Sequence, residues 1–394
     1  MHSFVQYTPT EIVFGKDAER ETGRLVKKYG AARVLIVYGG GSVVKSGLLD
    51  TIKKELDAEG IQYDELGGVQ PNPRVSLARE GVRKAAGLGA DLILAVGGGS
   101  VIDTAKADAI GAANPETDIW EFWEGRQTVE RSMPVGAVLT ISAAGSEMSD
   151  SSVLTNEETG RKCGVSSDLN RPKFAVMNPE LTYTLPKYQL ACGIVDIYMH
   201  TLERYFTPVP GNRMTDEIAE GLLRTVIEYG RKAYADQTDY DAMSEIMWCG
   251  SLSHNGITGL GRPRDFANHK LGHELSAMFD ETHGATLSAV WGSWARYVYR
   301  LDVPRFAHYG YAVWGIENKD EKEAALAAIE KTEEFFRSLH VATCIGELKT
   351  GVLPDETLRK LSQNATKGDT IRLGSFKELT AHDAYEIYKE ANHG

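Results

Sequence analysis

Asp91-Leu92-Ile93-Leu94-Ala95-Val96-Gly97-Gly98-Gly99-Ser100 carries the reading of the fold. Its apolar half is short and ends in glycine, the pattern of a strand buried on both faces. Helical spacing follows through Asp103 and Lys106. The same device stands earlier, where Val34-Leu35-Ile36-Val37-Tyr38 runs straight into Gly39-Gly40-Gly41-Ser42. Between the two lie a helix over 47–58, a strand around 61–63 and a helix over 76–86. Apolar strands alternating with helices predict a parallel sheet covered on both sides.

Working outward, residues 3–15 read as a short strand pair broken at Pro9-Thr10, and 18–28 as a helix. A strand is expected over 135–139, a hairpin turning near Asn156–Gly160, and a strand over 174–177. Asn178-Pro179 and Leu185-Pro186 then punctuate the chain. The boundary is placed there: an α/β domain over 1–184, then an all-helical domain over 185–394. Thr184 reads as the N-cap of the first helix, with Pro186 in its opening turn. Helical periodicity recurs over 216–229, 241–252, 265–278, 285–299, 319–339 and 381–391, and no strand-like alternation competes after 190.

The composition is that of an ordinary soluble globular chain: 394 residues, 42% hydrophobic and 25% charged. A net charge of -12 argues against nucleic acid as a general partner, since phosphate backbones need a basic surface. No apolar run approaches the roughly 18 residues that span a bilayer. The opening Met1-His2-Ser3-Phe4-Val5-Gln6-Tyr7 lacks the basic start and apolar core of a signal peptide. Cys163, Cys192, Cys249 and Cys344 show no paired spacing and read as buried free thiols in a reducing cytoplasm.

A strand feeding glycines and then a helix presents backbone N–H groups at the positive end of the helix dipole. Glycine lets an anion approach without a Cβ in the way. Gly97–Ser100 is thus the candidate pyrophosphate cradle, with Ser100 also expected to cap its helix, although the GxGxxG spacing is missing. Gly39–Ser42 sits where the first strand of a nucleotide-binding sheet presents a residue to the adenosine ribose. An acid there would repel a 2′-phosphate; here there are only backbone donors, Ser42 and nearby Lys45, which favours NADP over NAD.

Asp196 and His200 stand four apart, as do His269 and His273, and His283 is followed at once by Gly284. Residues four apart share a helix face, so each pair can point into one cavity. A carboxylate with three imidazoles suits a divalent metal such as iron, zinc, manganese, cobalt or nickel. Five candidates exceed the usual four, so one histidine is left to move protons; spacing alone does not say which. A metal beside a nicotinamide would polarise a carbonyl as hydride arrives. The remaining histidines, His254 among them, read as ordinary core or surface groups. Phe266, Trp291, Trp294 and Tyr297 are candidates to line an apolar pocket near the metal, or to be plain core.

The chain resembles the iron-dependent (group III) alcohol dehydrogenases, in particular their butanol dehydrogenase and NADPH-dependent aldehyde reductase branch. The likeness rests on Gly39–Ser42, Pro71-Asn72-Pro73, Gly97–Lys106, Gly145-Ser146-Glu147, Asn178–Thr182, Asp196 with His200, His269 with His273, and His283-Gly284. It implies the dehydroquinate synthase-like fold of that family, with an α/β dinucleotide-binding domain over 1–184 and an all-helical, metal-binding catalytic domain over 185–394. It implies a metal, iron or zinc, on Asp196, His200, His269 and His283, leaving His273 as the catalytic or proton-relay histidine. The cofactor contacts it implies are Gly39, Gly40 and Ser42 for the adenosine and Gly98, Gly99 and Ser100 for the pyrophosphate. Asp103 would lie near the nicotinamide with a catalytic part, Thr140 and Ser142 along the cofactor and Lys162 near its ribose; Asn72 and Leu181 complete the set. Where the family commonly shows Pro-Thr-Thr-Ala-Gly-Thr-Gly-Ser-Glu, this chain has Leu139-Thr140-Ile141-Ser142-Ala143-Ala144-Gly145-Ser146-Glu147. The expected activity is NADP(H)-linked oxidation of primary alcohols and reduction of short- to medium-chain aldehydes, by a cytoplasmic homodimer. The alternatives are a polyol dehydrogenase or a dehydroquinate synthase-like lyase of the same superfamily, or a non-catalytic nucleotide- or metal-binding protein.

Overall fold

The structure, a computed structural model, describes residues 1–394. The chain divides into two compact units, one of Tyr7–Leu185 and the other of Pro186–Gly394 together with Met1–Gln6.

In the first unit, strands β1 (Glu11–Phe14), β2 (Arg33–Gly39), β3 (Gln62–Val69), β4 (Leu92–Gly97) and β5 (Val135–Leu139) join a late strand, β8 (Phe174–Met177). Every pairing among them is parallel, in the order β1-β8-β5-β4-β2-β3. The two strands left out, β6 (Ser151–Asn156) and β7 (Arg161–Ser166), form a separate antiparallel hairpin. All residues of β4, β5 and β8 are buried, as a sheet covered on both faces requires. Alternate side chains Val34, Ile36, Leu92, Leu94 and Val96 pack with Leu25 and Val26 of helix Thr22–Lys28 and Ile52 and Leu56 of helix Leu48–Ala58. Helices Val75–Leu88 and Gly99–Ala113 cover the opposite face.

Strand β4 pairs directly with β2, although β3 intervenes in the chain. The direction of winding therefore reverses between β2 and β4, and the crevice outside such a reversal is where open α/β sheets bind ligands. Gly39–Ser42 and Gly97–Ser100 are the carboxyl ends of these two neighbouring strands.

Several expectations need correction. Residues 3–10 form no strand; β1 instead lies parallel to β8, whose wholly buried side chains offer better cover than an exposed N-terminal partner. A short helix at Ile119–Trp123, unanticipated, buries Ile119, Trp120, Phe122 and Trp123 and is capped by the Asp118 side chain. Ser100 caps nothing: it lies inside the helix, whose N-cap is Gly98 and whose N-terminus receives no side-chain cap. Among the cysteines, Cys163 is half-buried rather than buried.

The second unit is built from helices, chief among them Lys187–Tyr205, in which every residue from Leu190 to Tyr205 is buried. Its N-cap is Pro186, not Thr184, because the chain from Thr182 to Leu185 is held in a tight turn by Leu185 N–H donating to Thr182 C=O at 3.1 Å. Around it stand Arg213–Ala235, Tyr240–His254, Ala267–Phe279, His283–Val298, Glu321–Ser338 and Ala381–Ala391. Helices Val303–Trp314 and Asp355–Ala365 were not expected from periodicity. No helix is long and apolar enough to cross a membrane.

Candidate functional site

Helix Lys187–Tyr205 places Asp196, His200 and Glu203 on one face, at helical spacings of four and three. The Asp196 Oδ1 atom lies 3.3 Å from His200 Nδ1, 3.6 Å from His269 Nε2 and 3.9 Å from His283 Nε2. Ligand atoms on a tetrahedral ion with bonds near 2.1 Å stand roughly 3.4 Å apart, so these spacings are those of a coordination shell. Asp196 Oδ1, His200 Nδ1 and His269 Nε2 are all buried without a hydrogen-bond partner. An unsatisfied buried polar atom costs about 1–3 kcal/mol, and a divalent cation would satisfy all three at once. The residues present thus fit the metal that their types suggested.

Two glycines let the helices close on this point. A Cβ at Gly284 would stand 2.1 Å from the Cys192 carbonyl oxygen, so only glycine lets helix His283–Val298 approach helix Lys187–Tyr205 here. That approach carries His283, the first residue of its helix, to Asp196. Gly272 does the same between helices Ala267–Phe279 and His283–Val298, where a Cβ would meet Leu287 at 2.9 Å.

The ring of His269 is held from behind by Glu203, which is wholly buried. Glu203 Oε1 accepts the His269 backbone N–H at 3.0 Å, and Oε2 pairs with His269 Nδ1. Burial opposes charge on His269, but Glu203, helped by Asp196, outweighs it and pushes the imidazole up to about 9. A metal taking His269 Nε2 would therefore displace a proton. Burial, followed by the His254 and His269 rings, holds His200 well below its ordinary value, in the neutral form that ligates.

Neither Glu203 nor His254 was singled out in the sequence. The signal for Glu203 was present, since it continues the Asp196/His200 face one turn on. His254 gave none: it ends helix Tyr240–His254, and its ring meets that of His200 edge-on, centroids 4.0 Å apart. The His273 ring, half-buried, lies 5.1 Å from that of His283 and 6.3 Å from that of His269. Of the four aromatics considered as pocket lining, only Phe266 stands at the cluster, its ring 5.0 Å from His269 and 6.1 Å from His200. It holds a left-handed backbone, φ 55°, unusual for a bulky side chain and found most often at functional sites. Trp291 and Trp294 are core, packed on Phe336 and on Phe206 and Phe376, and Tyr297 donates to Asp383 Oδ1 at 2.6 Å.

In the first unit the structure brings most of the candidate cofactor residues to the ends of β2, β4 and β5. Thr140 follows β5 and its N–H donates to Gly97 C=O at 3.1 Å. Two glycines of the second run are required by packing: a Cβ at Gly97 would meet Val101 at 2.5 Å, and one at Gly98 would meet Ile141 at 2.0 Å. Around Gly40, by contrast, space is open, with nothing within 4 Å of a Cβ. Ser142 Oγ is buried and makes no hydrogen bond. Lys162 Nζ donates to Asn72 Oδ1 at 2.9 Å, and Asn72 sits at φ 55°. Leu181, in the turn after β8, is partly buried against the sheet core.

Asp103 is a brace. It accepts from Ser146 Oγ at 2.7 Å and from Val153 N–H at 3.0 Å, tying its helix to the Gly145–Glu147 turn and to β6. Burial raises its pKa, partly offset by Lys106. The buried Lys106 ammonium donates to Ser146 O at 2.7 Å, Ser149 O at 3.1 Å and Ser151 O at 2.7 Å. Burial nevertheless lowers it to about 8, against the opposing pull of Asp103.

The family profile described as iron-containing alcohol dehydrogenase matches residues 9–179, and that of the Fe-containing alcohol dehydrogenase family C-terminal region matches 190–392. The chain belongs to the iron-containing alcohol dehydrogenase family. It is accordingly an NAD(P)-dependent alcohol dehydrogenase. It is 40% identical to NADH-dependent butanol dehydrogenase A of Clostridium acetobutylicum, over 99% of this chain and 100% of that one. It is 37% identical to the NADPH-dependent aldehyde reductase YqhD of Escherichia coli, over 99% and 100% of the two chains. Among solved structures of iron-containing alcohol dehydrogenases, that of NADH-dependent butanol dehydrogenase A from Thermotoga maritima superposes with a TM-score of 0.95 at 36% identity. The match covers 100% of this chain and 99% of that one.

Proposed function

We propose that this alcohol dehydrogenase is metal-dependent and NADP(H)-linked, working mainly as a reductase of short- to medium-chain aldehydes. The observation that carries the reading is the convergence of three imidazole nitrogens, His200 Nδ1, His269 Nε2 and, at 3.9 Å, His283 Nε2, on Asp196 Oδ1, with that oxygen and the first two nitrogens buried and without a hydrogen-bond partner. Asp196, His200, His269 and His283 hold one divalent ion, iron or zinc. A nicotinamide cofactor would supply or accept the hydride at the carbonyl carbon, and an ion on these four residues would polarise the carbonyl oxygen. His273, with no place among the four ligands, passes the proton through its imidazole nitrogen to the reduced oxygen. Phe266 gives the cluster an apolar neighbour on the His269 side.

The uncapped N-terminus of helix Gly99–Ala113, with Gly98, Gly99 and Ser100, binds the pyrophosphate. Gly39, Gly40 and Ser42 take the adenosine side; Asn72, Thr140, Ser142, Lys162 and Leu181 complete the contacts. Asp103 sets the nicotinamide end through the turn that it braces. The preference for NADP(H) is supported by the missing acid after β2 and by exposed Ser42 and Lys45. A second reading, NADH preference, is favoured by the names of the Clostridium and Thermotoga relatives. We further propose a homodimer, supported by the open edge of β1 with Phe14 40% exposed; a monomer mass in light scattering excludes it.

The test of the reading is butanal reduction followed at the nicotinamide absorbance, with NADPH and NADH in parallel, before and after chelation. Turnover faster with NADPH and abolished by the chelator is expected. Full activity in metal-free protein contradicts the metal role, and faster turnover with NADH contradicts the cofactor preference.

A further inference from the structure

We infer that Glu203 is a positioning residue that sets which nitrogen of His269 faces the metal, an inference that rests on the metal reading above. The case begins with where its two oxygens go. Both are committed to one residue: Oε1 accepts the His269 backbone N–H at 3.0 Å and Oε2 pairs with the ring at Nδ1. Glu203 is wholly buried, and an ionised carboxylate is brought there only with strong compensation. The Glu203 carbonyl adds a third tie, accepting from Asp265 N–H at 2.9 Å just ahead of helix Ala267–Phe279.

Part of this arrangement is structural. His269 is the third residue of its helix, so its N–H has no partner within the helix. Phe266 at the N-cap offers no side-chain acceptor, and Glu203 takes that place from a neighbouring helix. The contact at Nδ1 does something else. A carboxylate accepts and does not donate, so it fixes the remaining ring proton on Nδ1. Nε2 is then left with its lone pair, 3.6 Å from Asp196 Oδ1 and without another partner. Helix Lys187–Tyr205 thus contributes Asp196 and His200 to the site directly, and a third ligand indirectly by orienting His269.

Glutamine at 203 separates the two roles. Its amide oxygen still accepts the backbone N–H, so the helix start stays capped. Its NH2 group, facing Nδ1, can only donate, which drives the ring proton to Nε2 and blocks the ligand. The experiment compares wild type and Glu203→Gln for Zn2+ affinity by chelator competition, with the Tm of the metal-free proteins measured alongside. Expected is a metal-free Tm near wild type with Zn2+ affinity lowered about 10- to 100-fold. Equal Zn2+ affinity in the two proteins overturns the inference and leaves the metal reading standing. A wild type that takes up no Zn2+ overturns the metal reading, and the inference with it. Should Glu203→Gln not fold, 15N-histidine spectra of the Zn2+-loaded wild type decide the matter. A protonated Nδ1 on His269 supports the assignment, and a protonated Nε2 overturns it.

Discussion

Gly40 is a position where one atom group is expected to change cofactor choice without disturbing the fold. Its φ is not left-handed and a Cβ meets nothing within 4 Å, so Gly40→Asp introduces a carboxylate at no steric cost. That charge repels a 2′-phosphate and accepts from a 2′-hydroxyl. The NADPH-to-NADH ratio of turnover efficiency is expected to fall by on the order of tenfold or more, since like-charge contact costs upward of 1.4 kcal/mol; an unmoved ratio removes the case for this loop. A second residue tests a different physics. Asp108 is buried under Gly81, where a Cβ would stand 2.3 Å from its carboxylate, and neither oxygen has a partner. Burial raises its pKa well above the ordinary value. A raised carboxyl contributes stability that is whole below pH of about 4 and lost as pH rises through the raised value. Asp108→Asn has no such titration, so urea midpoints of the two proteins should diverge against the wild type with rising pH. Parallel midpoints would mean the group stays ionised. Residues of this kind mark the limit of sequence reading. Asp196, His200, His269, His273 and His283 stood out as candidate ligands because two pairs of ligand-type side chains stand four apart, but spacing left open which four, and only the family likeness supplied a set. His254 did not, because a histidine at a helix end looks like any solvated one until the helices are packed; Glu203 continues the Asp196/His200 face, but its tie to His269 exists only once two helices meet.

At the scale of elements, the strand–glycine–helix units and the long amphipathic helices could be read from periodicity. Helix Val303–Trp314 was missed although Asp302 caps it and Pro304 stands in its first turn, because its crowded aromatics blur the period; Phe306, Tyr309 and Val313 are buried by its neighbours. The same override placed β1 on β8 and turned the expected cap at Ser100 into an uncapped helix start. Gly284 shows how one element positions another. Gly284→Ala drives a methyl into the Cys192 backbone, and unfolding should become easier by ~1–3 kcal/mol. Bound metal should fall as well, because His283 moves with its helix; a variant of wild-type stability and metal content would show that the contact is slack. The last helix, Ala381–Ala391, tests capping. Asp383 and Thr380 form a reciprocal capping box. Burial opposes charge on Asp383, but Lys377, Tyr297 and Thr380 outweigh it and hold the carboxyl far below its usual range. Stability from a lowered carboxyl is present above pH of about 4 and lost as pH falls further. Asp383→Ala should cost about 1 kcal/mol at neutral pH and close on the wild type in acid. A difference between the two that does not change with pH would discount the ionic part.

For the molecule as a whole, two kinds of architecture serve two kinds of chemistry. The parallel sheet ends in glycine-lined strand ends and uncapped helix starts, a chemistry suited to an anion, and the helical unit brings side chains far apart in sequence onto one carboxylate. The first was plain in the sequence because glycine runs after apolar strands are local signals. The second showed in the sequence as five candidate ligands but not in their support, which is assembled only by packing. The most direct measurement is elemental analysis of the purified wild type and of His269→Ala, paired with butanal reduction by each. About one divalent ion per wild-type chain is expected, with metal and turnover both lost in the variant. A His269→Ala protein that keeps its turnover, or a wild type fully active without metal, contradicts the central claim that Asp196, His200, His269 and His283 hold the ion on which catalysis depends.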